Sequence, residues 1–108
     1  MLNGAELFRL LAPYYRLFDG QHSPSSPVCF ETFPQAVACA LAGTIISAKH
    51  KCSDRRRLLR EAGLSIDSLI NIDTVDAALC ALTAHHLLNG TFKTYGDAVE
   101  GFIVVPKA

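Results

Sequence analysis

The segment that most constrains the fold of this 108-residue chain runs from Ile72 to His86. Its pattern predicts one helix that is apolar on nearly every side, with two carboxylates, Asp73 and Asp76, at its start. A helix that is apolar all round is typical of a buried position. Residues three apart share a helix face, so both carboxylates point the same way. They need water, backbone N–H groups, a basic partner or a metal ion.

The size and composition predict one domain over residues 1–108, since domains commonly have about 100–150 residues. Apolar residues make up 50% of the chain and charged residues 19%. A core of this size leaves limited room for so many apolar side chains. We therefore expect a homodimer or a higher homo-oligomer. The formal net charge is zero, which gives no global attraction to nucleic acid or to an anionic membrane.

The cysteines predict a location in the reducing cytoplasm. Their spacing contains no C-x-x-C pair, and two of them, Cys39 and Cys80, lie in alanine- and leucine-rich segments where a free thiol behaves as a small hydrophobe. We expect no disulfide framework. No run reaches the roughly 18 apolar residues of a membrane span, so we expect no membrane partner.

Periodicity and turn residues predict a helix-rich α/β (α+β) fold with a small sheet. Helices are expected over 4–18 with a kink at Pro13, and over 35–41, 54–62, 66–70 and 73–88. Strands are expected over 28–31, 92–95 and 102–105, and 19–27 is predicted to be a loop. Gly43, Gly63 and Gly90 are predicted to end the helices that precede them.

Local residue preferences predict how two of these helices begin. Ser53 is expected to cap helix 54–62, with Arg55, Arg56 and Arg60 on its solvent face. Asp73 is expected to cap the long helix, with Asp76 at its third position, where the helix dipole favours an acid.

Six basic residues fall between residues 49 and 60. Four of them are candidates for binding nucleic-acid phosphates, since each neutralised phosphate adds salt-dependent affinity: Lys49, Lys51, Arg55 and Arg57. The alternative is an ordinary solvated helix face, or arginines paired with acids of a partner subunit.

Three landmarks along the chain carry a resemblance to a known family. They are Phe30-Glu31-Thr32-Phe33-Pro34-Gln35, the helix from Asp73 to Ala84, and Glu100-Gly101-Phe102-Ile103-Val104-Val105-Pro106. Together they resemble the C-terminal half of an uncharacterised family of predicted nucleases with a ribonuclease-H-like fold, over about residues 28–106. The acidic helix alone is also similar to the last acidic helix of RuvC-type resolvases.

This resemblance implies a metal-dependent nuclease site. In ribonuclease-H-like enzymes, carboxylates hold divalent ions that activate water and stabilise the leaving oxygen. Glu31 would be the strand acid, and Asp73 and Asp76 the helix acids, all three both catalytic and metal-binding. Hard oxygen ligands favour Mg²⁺ or Mn²⁺. The alternatives are helix capping for the two aspartates, and a surface acid or ion pair for Glu31.

Two departures from the family pattern predict weak or absent hydrolysis. The essential Asp of the first strand has no counterpart, and Gln35 stands where the family has Glu. The chain is thus expected to be a truncated ribonuclease-H-like fold, whose open sheet edge a homodimer would cover. The alternative function is a non-catalytic module that self-associates or binds a partner.

Overall fold

A computed structural model describes residues 4–20, 24, 26–97 and 99–107 of the chain. These residues form four α-helices, one 3₁₀-helix and two two-stranded sheets, which confirms the mixed α/β class. The elements are α1 (Gly4–Leu11), β1 (Arg16–Leu17), β2 (Val28–Cys29), α2 (Pro34–Ala42), the 3₁₀-helix (Ala48–His50), α3 (Lys51–Glu61), α4 (Ile72–Asn89), β3 (Phe92–Asp97) and β4 (Gly101–Pro106).

The two sheets are linked at Glu31. Strand β1 pairs with β2 in parallel, and β3 pairs with β4 in antiparallel fashion. Just after β2, Glu31 forms an isolated parallel bridge with Ile103 of β4. There the Val104 N–H donates to the Glu31 carbonyl at 2.9 Å. The strands therefore follow one another laterally as β1, β2, β4 and β3.

The main core lies between α2, α3, α4 and β4. Helix α4 packs against all three of these elements, as its apolar sequence predicts. The buried members of this cluster are Val37, Leu59, Ile66, Val75, Leu79, Leu82 and Val105. A smaller cluster joins Phe18 to Leu87 and Val104. In it, Phe18 also meets Phe92 edge to face, with ring centroids 5.4 Å apart.

The start of α4 corrects the predicted cap. Asn71, not Asp73, is the N-cap: its side-chain oxygen accepts from the Thr74 N–H at 2.9 Å, and the Thr74 hydroxyl accepts from the Asn71 N–H at 3.2 Å. This reciprocal pair is a capping box. Asp73 therefore occupies the second helical position and Asp76 the fifth.

Helix α3 begins earlier than predicted. The 3₁₀-helix, whose N-cap is Ser47, leads directly into α3 at Lys51. Ser53 therefore lies inside the helix, where its hydroxyl donates to the His50 carbonyl at 3.2 Å. This earlier start and the packing of α3 place Arg55 among the buried residues, so the prediction that Arg55 faces solvent is wrong.

Two predicted helices are shorter or missing. The helix predicted over 4–18 ends at Leu11, because the chain turns around Pro13 and then extends to pair β1 with β2. The segment predicted as helix 66–70 forms a turn, in which the Leu69 N–H donates to the Ile66 carbonyl at 3.0 Å. Of the predicted loop 19–27, residues 21–23 and 25 lie outside the described residues.

The other predicted boundaries agree closely with the structure. Helix α2 starts at Pro34, as expected of a residue without an N–H, and ends at Gly43 with φ of 76°. Helix α4 ends at Gly90 with φ of 75°. No helix in the described part of the chain is long and apolar enough to cross a membrane.

Candidate functional site

An ion pair joins Asp76 of α4 to Arg55 of α3. The Arg55 Nη1 donates to the Asp76 Oδ1 at 2.7 Å. The Arg55 side chain is 7% exposed and that of Asp76 is 28% exposed. A short bond between a guanidinium and a carboxylate is among the stronger hydrogen bonds in proteins. The carboxylate of Asp76 therefore has a basic partner.

Gln35 binds the other side of the same guanidinium. The Arg55 Nη2 donates to the Gln35 Oε1 at 2.9 Å, and the Gln35 Nε2 donates to the Ile46 carbonyl at 2.7 Å. The network thus connects α2, α3, α4 and the segment before the 3₁₀-helix. No site role is predicted for Gln35 from the sequence, where it stands only as a departure from the family pattern. Its signal was a lone amide in the first turn of an otherwise apolar helix.

The guanidinium of Arg55 is enclosed by protein. Its Nε is buried and has no hydrogen-bond partner among the described residues. A buried cation is strongly disfavoured without a compensating charge. Asp76 supplies that charge at direct contact, so the buried Arg55 depends on Asp76.

The other two predicted acids, Glu31 and Asp73, are both exposed. Glu31 is fixed in the sheet through its backbone carbonyl, and Asp73 lies in the first turn of α4. Within residues 4–20, 24, 26–97 and 99–107, no group of three or more His, Cys, Asp or Glu side chains is arranged to hold a metal ion.

The predicted phosphate-binding residues fall into two groups. Lys49, Lys51 and Arg57 are exposed, whereas Arg55 is buried. Arg57 lies 3.1 Å from Glu61 and 3.9 Å from Asp54 in surface ion pairs. Arg55 is not placed to bind phosphate, because its guanidinium hydrogen-bonds to Asp76 and Gln35 inside the protein.

The environment of Cys80 opposes thiolate formation. Burial raises the pKa of the Cys80 thiol above its ordinary value, and the negative charge of Asp76 acts in the same direction. Cys80 follows Asp76 by one helical turn. A thiol with a raised pKa has little thiolate at neutral pH and is a poor nucleophile.

A cleft of about 540 Å³ lies between α2 and the β3–β4 hairpin. Its polar lining residues include Thr44, Lys93 and Tyr95. Its lining contains none of the three predicted acids.

A comparison with known families finds one match that covers most of the chain. The model of the family described as "Protein of unknown function (DUF429)" matches residues 1–100. The chain therefore belongs to this family. The match includes the segment before residue 28, which the sequence resemblance did not cover. No curated protein and no solved structure matches the chain.

Proposed function

We propose that this chain is a relative of the ribonuclease-H-like nucleases that has given up metal-dependent phosphodiester hydrolysis and acts as a non-catalytic, self-associating α/β module. The observation that carries the proposal is the 2.7 Å ion pair between Arg55 and Asp76. It engages the helix acid that such an enzyme would use to hold a metal ion.

The residues around Asp76 fit a guanidinium better than a divalent ion. Mg²⁺ and Mn²⁺ require several hard oxygen ligands at about 2.0–2.6 Å. Here Arg55 hydrogen-bonds to one carboxylate oxygen of Asp76. The group on the other side of its guanidinium is the neutral amide of Gln35. A metal ion would also have to approach a buried cation. We therefore derive no hydrolytic step through a metal at this centre.

The nuclease ancestry is supported by the arrangement of acids and elements. Glu31 lies at the end of a strand that bridges to β4 in parallel, and the acidic helix α4 packs on β4. The sequence resemblance assigns metal-binding acids to these same elements. The chain would then share the ancestry of these nucleases without their hydrolytic activity.

Self-association is supported by the apolar surface of the N-terminal part. Its exposed side chains include Leu7, Leu10, Tyr14, Tyr15 and Leu17. Among the described residues, β1 has one neighbouring strand, so its other side offers backbone groups for pairing. A second copy of the chain would cover both features. Closed two-fold dimers are the commonest way in which soluble chains do this.

The hydrolysis part of the proposal is tested with labelled DNA and RNA in the presence of Mg²⁺ or Mn²⁺. We compare the wild-type chain with a Glu31→Gln/Asp73→Asn double variant. The expected result is no cleavage by either protein above the metal-only background. Cleavage by the wild type that the double variant loses would restore the nuclease assignment.

The association part is tested by light scattering across the micromolar range. We expect a dimer for the wild type and at least roughly tenfold weaker association for Leu10→Ser, since losing one apolar contact removes about 1.4 kcal/mol or more. Ile45→Ser is the matched control, because Ile45 is also exposed but lies after α2. A wild-type chain that stays monomeric contradicts the proposal.

A second candidate function is nucleic-acid binding. It is favoured by the exposure of Lys49 and Lys51. Phosphate contacts make affinity fall with salt, with a slope near one per neutralised phosphate. Fluorescence anisotropy over a salt series gives the slope of log affinity against log salt concentration. The magnitude of this slope should be smaller by about two for Lys49→Gln/Lys51→Gln than for the wild type. Wild-type binding with no salt dependence would exclude this function.

A further inference from the structure

Three secondary-structure elements meet at one guanidinium. Arg55 of α3 donates through Nη1 to Asp76 of α4 at 2.7 Å and through Nη2 to Gln35 of α2 at 2.9 Å. These two oxygens belong to residues more than 40 positions apart in sequence. Both lie within hydrogen-bonding distance of the same guanidinium.

We infer that Arg55 is the resident cation of the centre formed by Arg55, Asp76 and Gln35. Its guanidinium occupies the place between Asp76 and Gln35 that a divalent metal ion would need. This inference deepens the proposed loss of metal binding, on which it rests, and it holds whether or not the chain self-associates. It assigns Arg55 and Gln35 a role that the basic sequence cluster did not indicate.

The geometry favours a guanidinium over a metal ion. The planar fork of an arginine presents separate donors to separate acceptors, and each of the two oxygens here receives one N–H. Arg55 is nearly enclosed, so a divalent ion beside it would face a buried like charge with little screening. Metal binding at Asp76 therefore requires the Arg55 side chain to leave.

The centre also holds the segment that precedes the 3₁₀-helix. The Gln35 amide that accepts from Arg55 donates onward to the Ile46 carbonyl at 2.7 Å. The Ile46 N–H in turn points to the Cys39 sulfur at 3.5 Å. A fixed cation at Arg55 thus sets the orientation of Gln35, which positions the connection between α2 and α3.

The first experiment measures thermal unfolding of the whole chain with EDTA, with MgCl2 and with MnCl2. If Arg55 is the resident cation, the wild-type Tm is the same in all three. Arg55→Gln is expected to lower the Tm by roughly 10 °C, since it removes a nearly buried side chain together with its hydrogen bonds to Asp76 and Gln35. Arg57→Gln, on the exposed side of the same helix, is the matched control and should change the Tm by only a few degrees.

The second experiment follows Mn²⁺ binding by the paramagnetic broadening of backbone amide signals. In the wild type, the Asp76 amide should stay sharp at millimolar Mn²⁺. In Gln35→Glu/Arg55→Gln, two carboxylates face the space that the guanidinium leaves, and we expect saturable broadening at Asp76 that Asp76→Asn removes. Saturable broadening at Asp76 in the wild type that an Asp73→Asn variant keeps overturns the inference, whereas an ion held at the exposed Asp73 would be lost in that variant.

Discussion

The part of the chain from α2 to β4 and the part from α1 to β2 use apolar residues in opposite ways. Between α2 and β4, apolar side chains from three helices and one strand form the main core, and Leu79 is fully buried. Between α1 and β1, comparable side chains face outward: Leu10 is 59% exposed and Tyr14 is 78% exposed. Among the described residues of this N-terminal part, Phe18 and Val28 reach a core cluster.

This difference shows that an apolar pattern predicts burial only where other elements exist to provide it. Helix α1 has apolar residues at helical spacing, but it does not belong to the elements that pack closely within the described part of the chain. Helix α4 has α2, α3 and β4 around it. The N-terminal surface is therefore the one that the proposed self-association would cover.

The largest expected effect comes from deleting one buried side chain of the core. Leu79→Ala should lower the free energy of unfolding by about 2–5 kcal/mol, because it removes buried methyl groups and leaves a cavity. Leu10→Ala in α1 should cost less than about 1 kcal/mol in the monomer. Urea unfolding at low protein concentration measures both. Equal losses would mean that the two parts do not differ as described.

A smaller effect distinguishes the residues at the start of α4. Asn71→Ala should cost about 0.5–2 kcal/mol, because it removes the acceptor of the capping box. Asp73→Ala should cost only about 0.3–1 kcal/mol, the usual contribution of an acid near a helix N-terminus. The same unfolding assay gives both values. A larger loss of stability for Asp73→Ala than for Asn71→Ala would mean that Asp73 is the N-cap.

The pH dependence of stability tests the environment of Cys80. Because the folded-state pKa of Cys80 is raised above its ordinary value of 9.0, the folded chain favours the neutral thiol. That contribution is fully present below the ordinary pKa and is lost as the pH rises through the folded-state pKa. Unfolding measured from neutral to alkaline pH should show a decline that Cys80→Ala reduces. A Cys52→Ala control, at an exposed position, should leave the decline unchanged.

The smallest effect is expected at the protein surface. Arg57→Gln breaks two exposed ion pairs, which together should contribute no more than about 1 kcal/mol. Chemical unfolding in low and high salt measures this contribution, which should shrink further as salt screens the charges. A loss as large as that of Leu79→Ala would place Arg57 in the core.

Much of the part from α2 to β4 could be predicted from local sequence signals. Pro34 and Gly43 mark the ends of α2, and Gly90 marks the end of α4. The cap of α4 was also available locally, since Asn71 and Thr74 have the spacing of a capping box. Residue preference alone favoured Asp73 instead, since Asp is about as common at an N-cap as Asn. The end of α1 was missed because strand pairing of residues 16–17 depends on β2, eleven residues further along.

The sequence by itself determined the class of the fold, the apolar helix at its centre and the acids at the start of that helix, because these depend on periodicity, caps and glycine positions. Only the tertiary structure decided what Asp76 binds. Four arginines lie on α3, and their local pattern does not distinguish them. Arg55 faces inward because α3 packs against α2 and α4, and a buried guanidinium needs the carboxylate that α4 brings to it.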